Sequence, residues 1–201
     1  VPNFSEGRDQ RKIKAITKEI ESTPRVSLLD VHSGGTTNRT VITFISTPER
    51  VKEAAFKAVK KAAEVIDMSK HKGIHSRIGA TDVCPFVPVS NVTMKDCVKI
   101  SHELGKKVAT ELRIPIYLYA EAAQKPERKN LAYIRGGQYE GLPKKLESPD
   151  WTPDYGQPIC NSKSGATIIG AREYLIAYNI NLSTSDRKFA HQIALNLRER
   201  G

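Results

Sequence analysis

Two strand-like runs, VSLLDV at 26–31, which reads as a buried strand, and the β-branched and aromatic RTVITFIS at 39–46, are separated by His32 and SGGTTN at 33–38, and each is flanked on its outer side by a helical period. The Gly, Thr and Asn of the short connection mark a turn, so the two runs read as a β-hairpin. Ahead of it, Ile13, Ile16 and Ile20 recur at helical spacing over 9–21, and Pro24 ends that helix. Behind it, Thr47 caps a helix with Pro48 at its first position, and Val51, Ala55, Val59, Ala62 and Ile66 mark the buried face. A hairpin held between two amphipathic helices must lay both apolar stripes on a sheet, which restricts the chain to a few mixed architectures.

The rest of the chain continues this alternation. DVCPFVPV at 82–89 reads as extended, but Pro85 and Pro88 cannot donate to a ladder, which predicts a strand at a sheet edge. Thr93 with Asp96 three residues on resembles a capping box, and the helix to about Leu112 is expected to bury Cys97, Ser101, Leu104 and Val108. IPIYLY at 114–119 is another strand, and 127–147 reads as short basic helices broken by Gly136, Gly137 and Gly141. Residues 148–165 have no periodicity, and so long an irregular segment is usually functional or mobile. YLIAYNINL at 174–182 alternates, with Asn179 and Asn181 on one face, either lining a polar groove or facing water. The helix predicted over 186–199 should bury Phe189, Ala190, Ile193, Ala194 and Leu197. The order is β-α-β-β-α-β, then α-β, a long loop, and β-α. The fold class is α/β (α+β), with a split βαββαβ unit of ferredoxin type in the first half.

With 39% hydrophobic and 27% charged residues among 201, the chain can build a core. Lys and Arg number 32 against 22 Asp and Glu, and the resulting +10 favours anionic partners. Nucleic acid and small polyanions both qualify on charge. Aromatics at 6% are too few for a base-stacking platform, no recognised nucleic-acid motif is present, and the basic residues form no block. No nucleic-acid partner is therefore expected. No run reaches the roughly 18 apolar residues of a membrane helix. Cys84, Cys97 and Cys160, odd in number and unpatterned, fit reduced thiols in a cytoplasmic protein.

The densest chemistry lies in HKGIHSRIGATDVCPF, 71–86. His71 and His75 are four apart, but Gly73 lies between them and no carboxylate or cysteine clusters nearby in sequence, so no metal is expected. His75 sits in a Gly-flanked loop between helix and strand, where it is either an acid–base group or the cap of a helix end. Arg77 is suited to a bidentate grip on a carboxylate, and Asp82 to orienting an imidazole. In GGTTNR, Gly34 and Gly35 allow close backbone approach while Asn38 and Arg39 offer donors; a plain hairpin turn is the simpler reading. In the long loop, Trp151 and Tyr155 are suited to covering an aromatic ligand and Lys163 to meeting a carboxylate, or the loop is surface without function.

Several segments together resemble the glutamate formimidoyltransferase family: VPNFSEG at 1–7, NRTV at 38–41, DMSKHKGIHSRIGATDVCPFVPV at 67–89, PIYLY at 115–119, IRGGQYEGLPKKL at 134–146, PDWTPDYG at 149–156, GAT with GAREYLIAYNINL within 165–182, and IALNLRERG at 193–201. The resemblance spans the chain. It implies transfer of a formimino group from N-formimino-L-glutamate to N5 of tetrahydrofolate, which is then a co-substrate, with no metal. It implies His75 as the catalytic histidine, and a folate segment over Gly156, Gln157, Pro158, Ile159, Cys160, Asn161, Ser162, Lys163, Ser164 and Gly165. Asn38, Arg39, Arg77, Asp82 and Asn179 are the supporting candidates. It also implies a homodimer, and two facing ferredoxin-like subdomains, the first over 1–173 and the second beginning at 174–201. Ser76 stands where the family commonly has proline, and His32 where mammalian members carry aspartate. The competing expectation is a non-catalytic subdomain that serves folate binding or protein association.

Overall fold

The computed structural model describes residues 1–176, 180 and 182–197. A six-stranded mixed sheet runs in the order β2-β3-β1-β4-β6-β5, built from β1 (Asn3–Phe4), β2 (Ser27–Gly34), β3 (Arg39–Ile45), β4 (Thr81–Phe86), β5 (Ile116–Ala120) and β6 (Thr167–Ala171). β1 is antiparallel to both β3 and β4, and β2 to β3. β4, β6 and β5 run parallel. The first four strands with their two helices make the expected split βαββαβ unit, and β6 and β5 widen it.

Three helices pack on one face of the sheet. They are α1 (Gln10–Glu21), α2 (Pro48–Val65) and α3 (Met94–Leu112). Asp9 caps α1 by accepting from the Arg11 amide, and Pro48 opens α2. Thr93 and Asp96 close the capping box that their spacing suggests. Ile16 and Ile20 of α1, Ala55, Val59 and Ala62 of α2, and Cys97, Leu104 and Val108 of α3 bury against Phe4, Ile42, Phe44, Cys84 and Phe86 of the sheet. The opposite face is covered only in part. There α4 (Leu131–Arg135) and α5 (Gln138–Leu146) bury Ile134, Leu142 and Leu146 against Val83, Tyr117, Tyr119 and Ile168. β2, at the other end of the sheet, is largely exposed and not the buried strand expected over 26–31, because it lies at the sheet edge with β3 as its one neighbour in the sheet.

Four further points of the fold differ from expectation. β4 is not an edge strand, because it lies between β1 and β6. The Pro85 carbonyl turns toward Val1, and a residue's N and C=O share one side of a strand. The missing N–H therefore falls on the β1 side, and no β4–β6 bond is lost. The strand β6 is absent from the sequence reading. Its five residues TIIGA are all buried, and a short continuous apolar run carries no alternation. The strand expected over 174–182 falls partly outside the described residues, and those that are described, 174–176, 180 and 182, are not in a strand. The last helix, α6 (Arg187–Leu197), forms, but Phe189 and Leu197 remain more than half exposed instead of entering a core. Its apolar stripe has no described neighbour to cover it.

Candidate active site

The register between β1 and β4 slips by one residue. Asn3 pairs with Val83 but Phe4 pairs with Thr81, which leaves Asp82 as the extra residue of a β-bulge. Bulges re-aim side chains. This one turns Asp82 to the face away from α1–α3. Alternation along β3 places Thr40, Ile42 and Phe44 toward the helices and Arg39 on the same open face as Asp82. Arg39 Nη1 donates to Asp82 Oδ2 at 2.7 Å, and its Nη2 donates to Asn3 Oδ1 at 2.5 Å. From the end of α4, Arg135 Nη2 reaches the same Asp82 oxygen at 2.5 Å. The other carboxylate oxygen accepts the Ile78 amide at 3.1 Å. Asp82 is fully buried, and the Arg39 and Arg135 side chains are 12% and 13% exposed.

His75 stands beside this cluster. Its Nδ1 donates to the Ser76 carbonyl at 2.7 Å. A carbonyl only accepts, so the neutral ring carries its proton on Nδ1 and a lone pair on Nε2, which has no partner among the described residues. Burial, then the positive charge of Arg39, holds the imidazole below its ordinary pKa of 6.5, with Arg135 acting the same way and Asp82 opposing. The ring is therefore neutral at pH 7 and presents a base. The expectation that Asp82 orients it is corrected: Asp82 is committed to two guanidinium groups and an amide, and the backbone carbonyl of Ser76 holds the ring instead.

His71 has the other tautomer. Arg77 Nε donates to its Nδ1 at 3.2 Å, so Nε2 carries the proton and donates to the Asn38 carbonyl at 3.0 Å. Both ring nitrogens are used, and His71 is a strut. Arg77 is almost fully buried, and its guanidinium forms a two-pronged pair with Glu140 at 2.8 and 2.6 Å, with Gln138 as a further acceptor. It is not free to grip a substrate carboxylate, contrary to expectation. Asn38 adopts a left-handed backbone, φ 49°. Its side chain accepts from the Gly7 amide and donates to the Lys72 carbonyl, which ties the hairpin turn to the loop carrying His75. Asn38 is thus a positioning residue. Asn179 lies outside the described residues. Among the described residues, no group of three or more His, Cys, Asp or Glu side chains is placed to hold a metal.

The segment 156–165 joins two regions. Its first half, with Lys106, Thr110 and Arg113 of the α3 end, lines a groove of ≈ 740 Å³ that includes Gly156, Gln157, Ile159, Cys160 and Asn161. Its second half closes on itself, as Asn161 Oδ1 accepts from the Lys163 and Ser164 amides. Gly165 then bridges to Gly79, four residues beyond His75. The preceding stretch is pinned by Arg128, which is 1% exposed, pairs with Asp154 at 2.8 Å and donates to the Thr152 carbonyl. Trp151 stacks on Tyr133 and meets Tyr117 edge-on, so it is packing and not a ligand cover. Tyr155 is hydrogen-bonded to His102 through its hydroxyl while lining the groove. Lys163 donates to the Glu64 carbonyl, so it is not a free cation.

Arg135, Asn3, Glu140 and Arg128 are absent from the sequence reading of the site. Arg135 and Glu140 lie inside the quoted IRGGQYEG segment, but only the fold brings them to Asp82 and Arg77.

The sequence pattern described as "Formiminotransferase domain, N-terminal subdomain" matches residues 1–172. A formimidoyltransferase-cyclodeaminase of Gallus gallus is 54% identical over 201 residues, covering 100% of this chain and 37% of that protein. A glutamate formimidoyltransferase of Streptococcus pyogenes serotype M1 is 47% identical over 201 residues, 100% of this chain and 67% of its own length. One of Thermoplasma acidophilum is 49% identical over 200 residues, 98% of this chain and 66% of its own. The chain thus spans little more than a third of the length of the bifunctional relatives.

Proposed function

Because the chain belongs to the formiminotransferase domain family as its N-terminal subdomain, we propose that it carries the acid–base centre of a glutamate formimidoyltransferase, with His75 as the catalytic residue. The reaction moves a formimino group from N-formimino-L-glutamate to N5 of tetrahydrofolate. N5 attacks the amidine carbon, a C–N bond forms, and the bond to the glutamate nitrogen breaks. The N5 proton must leave and the departing nitrogen must gain one. His75 Nε2, with its lone pair free and its ring neutral, takes the first proton and returns it to the glutamate amine. Neither a nucleophile nor a metal enters this route.

The observation that carries the reading is the neutral, Nδ1-anchored His75 next to a buried cluster with excess positive charge. Tetrahydrofolate, as co-substrate, is assigned to the segment Gly156–Gly165. Support for that assignment comes from the resemblance and from the groove its first half lines with Lys106 and Arg113, cations suited to a carboxylate tail. A subdomain boundary near 173 is part of the same reading. It is supported by β6 ending at Ala171, by the family pattern ending at 172, and by the exposure of Tyr174, Leu175 and Ile176. A cytoplasmic homodimer completes the reading, with the three cysteines as thiols fitting a reducing compartment.

The test is transfer by the natural full-length protein, read as methenyl-tetrahydrofolate formed on acidification. His75→Ala should lower kcat by about 10²–10⁴-fold. Wild-type turnover with an unchanged His75→Ala rate would remove His75 from the chemistry. Folate binding without any turnover would favour the non-catalytic reading, for which no observation of the site speaks independently.

A further inference from the structure

Arg39 and Arg135 are nearly dry, share one carboxylate, and leave a net charge of +1 at the edge of the site. Asp82 accepts from both, Asn3 is neutral, and Glu140 is committed to Arg77. Arg39 Nε and Arg135 Nη1 have no acceptor among the described residues. A partly desolvated guanidinium without a full counter-charge is costly unless an anion completes it. Burial already lowers the pKa of Arg39, and Arg135 adds to that. The transferring group itself is an amidine, cationic at neutral pH, and two arginines repel it. The parts of the substrate that suit this place are carboxylates.

We propose that Arg135, together with Arg39, seats a carboxylate of the formimino donor, with Asp82 as the positioning residue that fixes the two guanidinium groups; this rests on the transfer reading above. The seat has a built-in consequence. The same two positive charges face His75, together with Asp82. A carboxylate between the arginines cancels the excess charge, so the proton affinity of His75 rises when the donor binds. The base strengthens only in the complex, and the donor's glutamate moiety becomes what the site selects for.

The experiment titrates the full-length protein with N-acetyl-L-glutamate, an unreactive stand-in for the donor, and follows the His75 ring by NMR across pH. A saturable rise in the His75 pKa is expected in the wild type, and its loss in Arg135→Gln. Arg135→Lys should restore part of it, because the charge returns without the two-pronged geometry. In the transfer assay, Arg135→Gln should raise KM for formiminoglutamate about ten- to hundred-fold, the loss of one charged hydrogen-bonding group, with KM for tetrahydrofolate far less changed. An Arg135→Gln protein that melts like the wild type shows the effect is local. If neither N-acetyl-L-glutamate nor p-aminobenzoyl-L-glutamate moves the wild-type His75 pKa, the seat does not exist. If only p-aminobenzoyl-L-glutamate moves it, the seat belongs to the folate tail and the donor assignment is overturned. The transfer reading fails separately, through an unchanged His75→Ala rate.

Discussion

A carboxylate with no exposed surface between two guanidinium groups is costly to break from one side. Asp82→Asn keeps the shape but leaves Arg39 and Arg135 facing each other without a counter-charge. Such one-sided removals cost about 3–5 kcal/mol, and urea unfolding of this variant should show a loss in that range with an unchanged slope. A midpoint equal to the wild type would mean that water already screens the pair. At this scale the sequence is informative about types and not about partners. His75 stands out in its glycine-flanked loop, and the +10 charge balance favours anionic partners without naming one. The partners of Asp82 are not, since Arg39 lies 43 residues before it and Arg135 53 after it. The bulge that aims Asp82 at them is a property of the β1–β4 pairing and leaves no mark in the local pattern. Arg77 is misjudged for the same reason. Its fork geometry suits any carboxylate, and Glu140, 63 residues on, already fills it.

At the level of elements, the segment 156–165 depends on its last residue. Gly165 has φ 68°, and a Cβ there would sit 2.2 Å from the Ile78 carbonyl oxygen and 2.7 Å from the Gly79 Cα. Backbone cannot yield as a side chain tip can, and the left-handed angle adds strain. Gly165→Ala should cost well over about 1 kcal/mol by thermal or chemical unfolding. It should also weaken tetrahydrofolate binding, because the bridge to Gly79 closes the segment. A variant with wild-type stability would show that the bridge opens freely. The helices were legible where spacing and caps agree: the Thr93–Asp96 box and the buried Cys97, Ser101, Leu104 and Val108 of α3 are where the pattern puts them. The strands were less so. β6 is buried on both faces between two parallel neighbours, so it shows no period of two. Pro85 reads as an edge signal because the sequence does not reveal which side of β4 its nitrogen faces.

Over the whole molecule, the ordinary unfolded pKa of 6.5 and the lowered folded values of His71 and His75, both chiefly from burial, set a pH dependence. Above 6.5 both rings are neutral folded and unfolded, and they contribute no slope. As the pH falls through 6.5 toward the folded pKa values, the unfolded chain binds protons that the native one does not, so stability falls. His71 is faced by Arg77, Arg8 and Glu6, and His71→Gln should flatten this window in unfolding measurements; an identical slope in the variant would place the titration elsewhere. In the proposed mechanism the same shift also governs catalysis, because a base that accepts the N5 proton has to be neutral. The most direct test is the pH dependence of kcat/KM for formimino transfer, which reports the free enzyme. An acid limb with an apparent pKa below 6.5, absent from the residual activity of His75→Ala, is the expected result. A profile flat through that range, or the same limb surviving in His75→Ala, would contradict the assignment of His75 as the base.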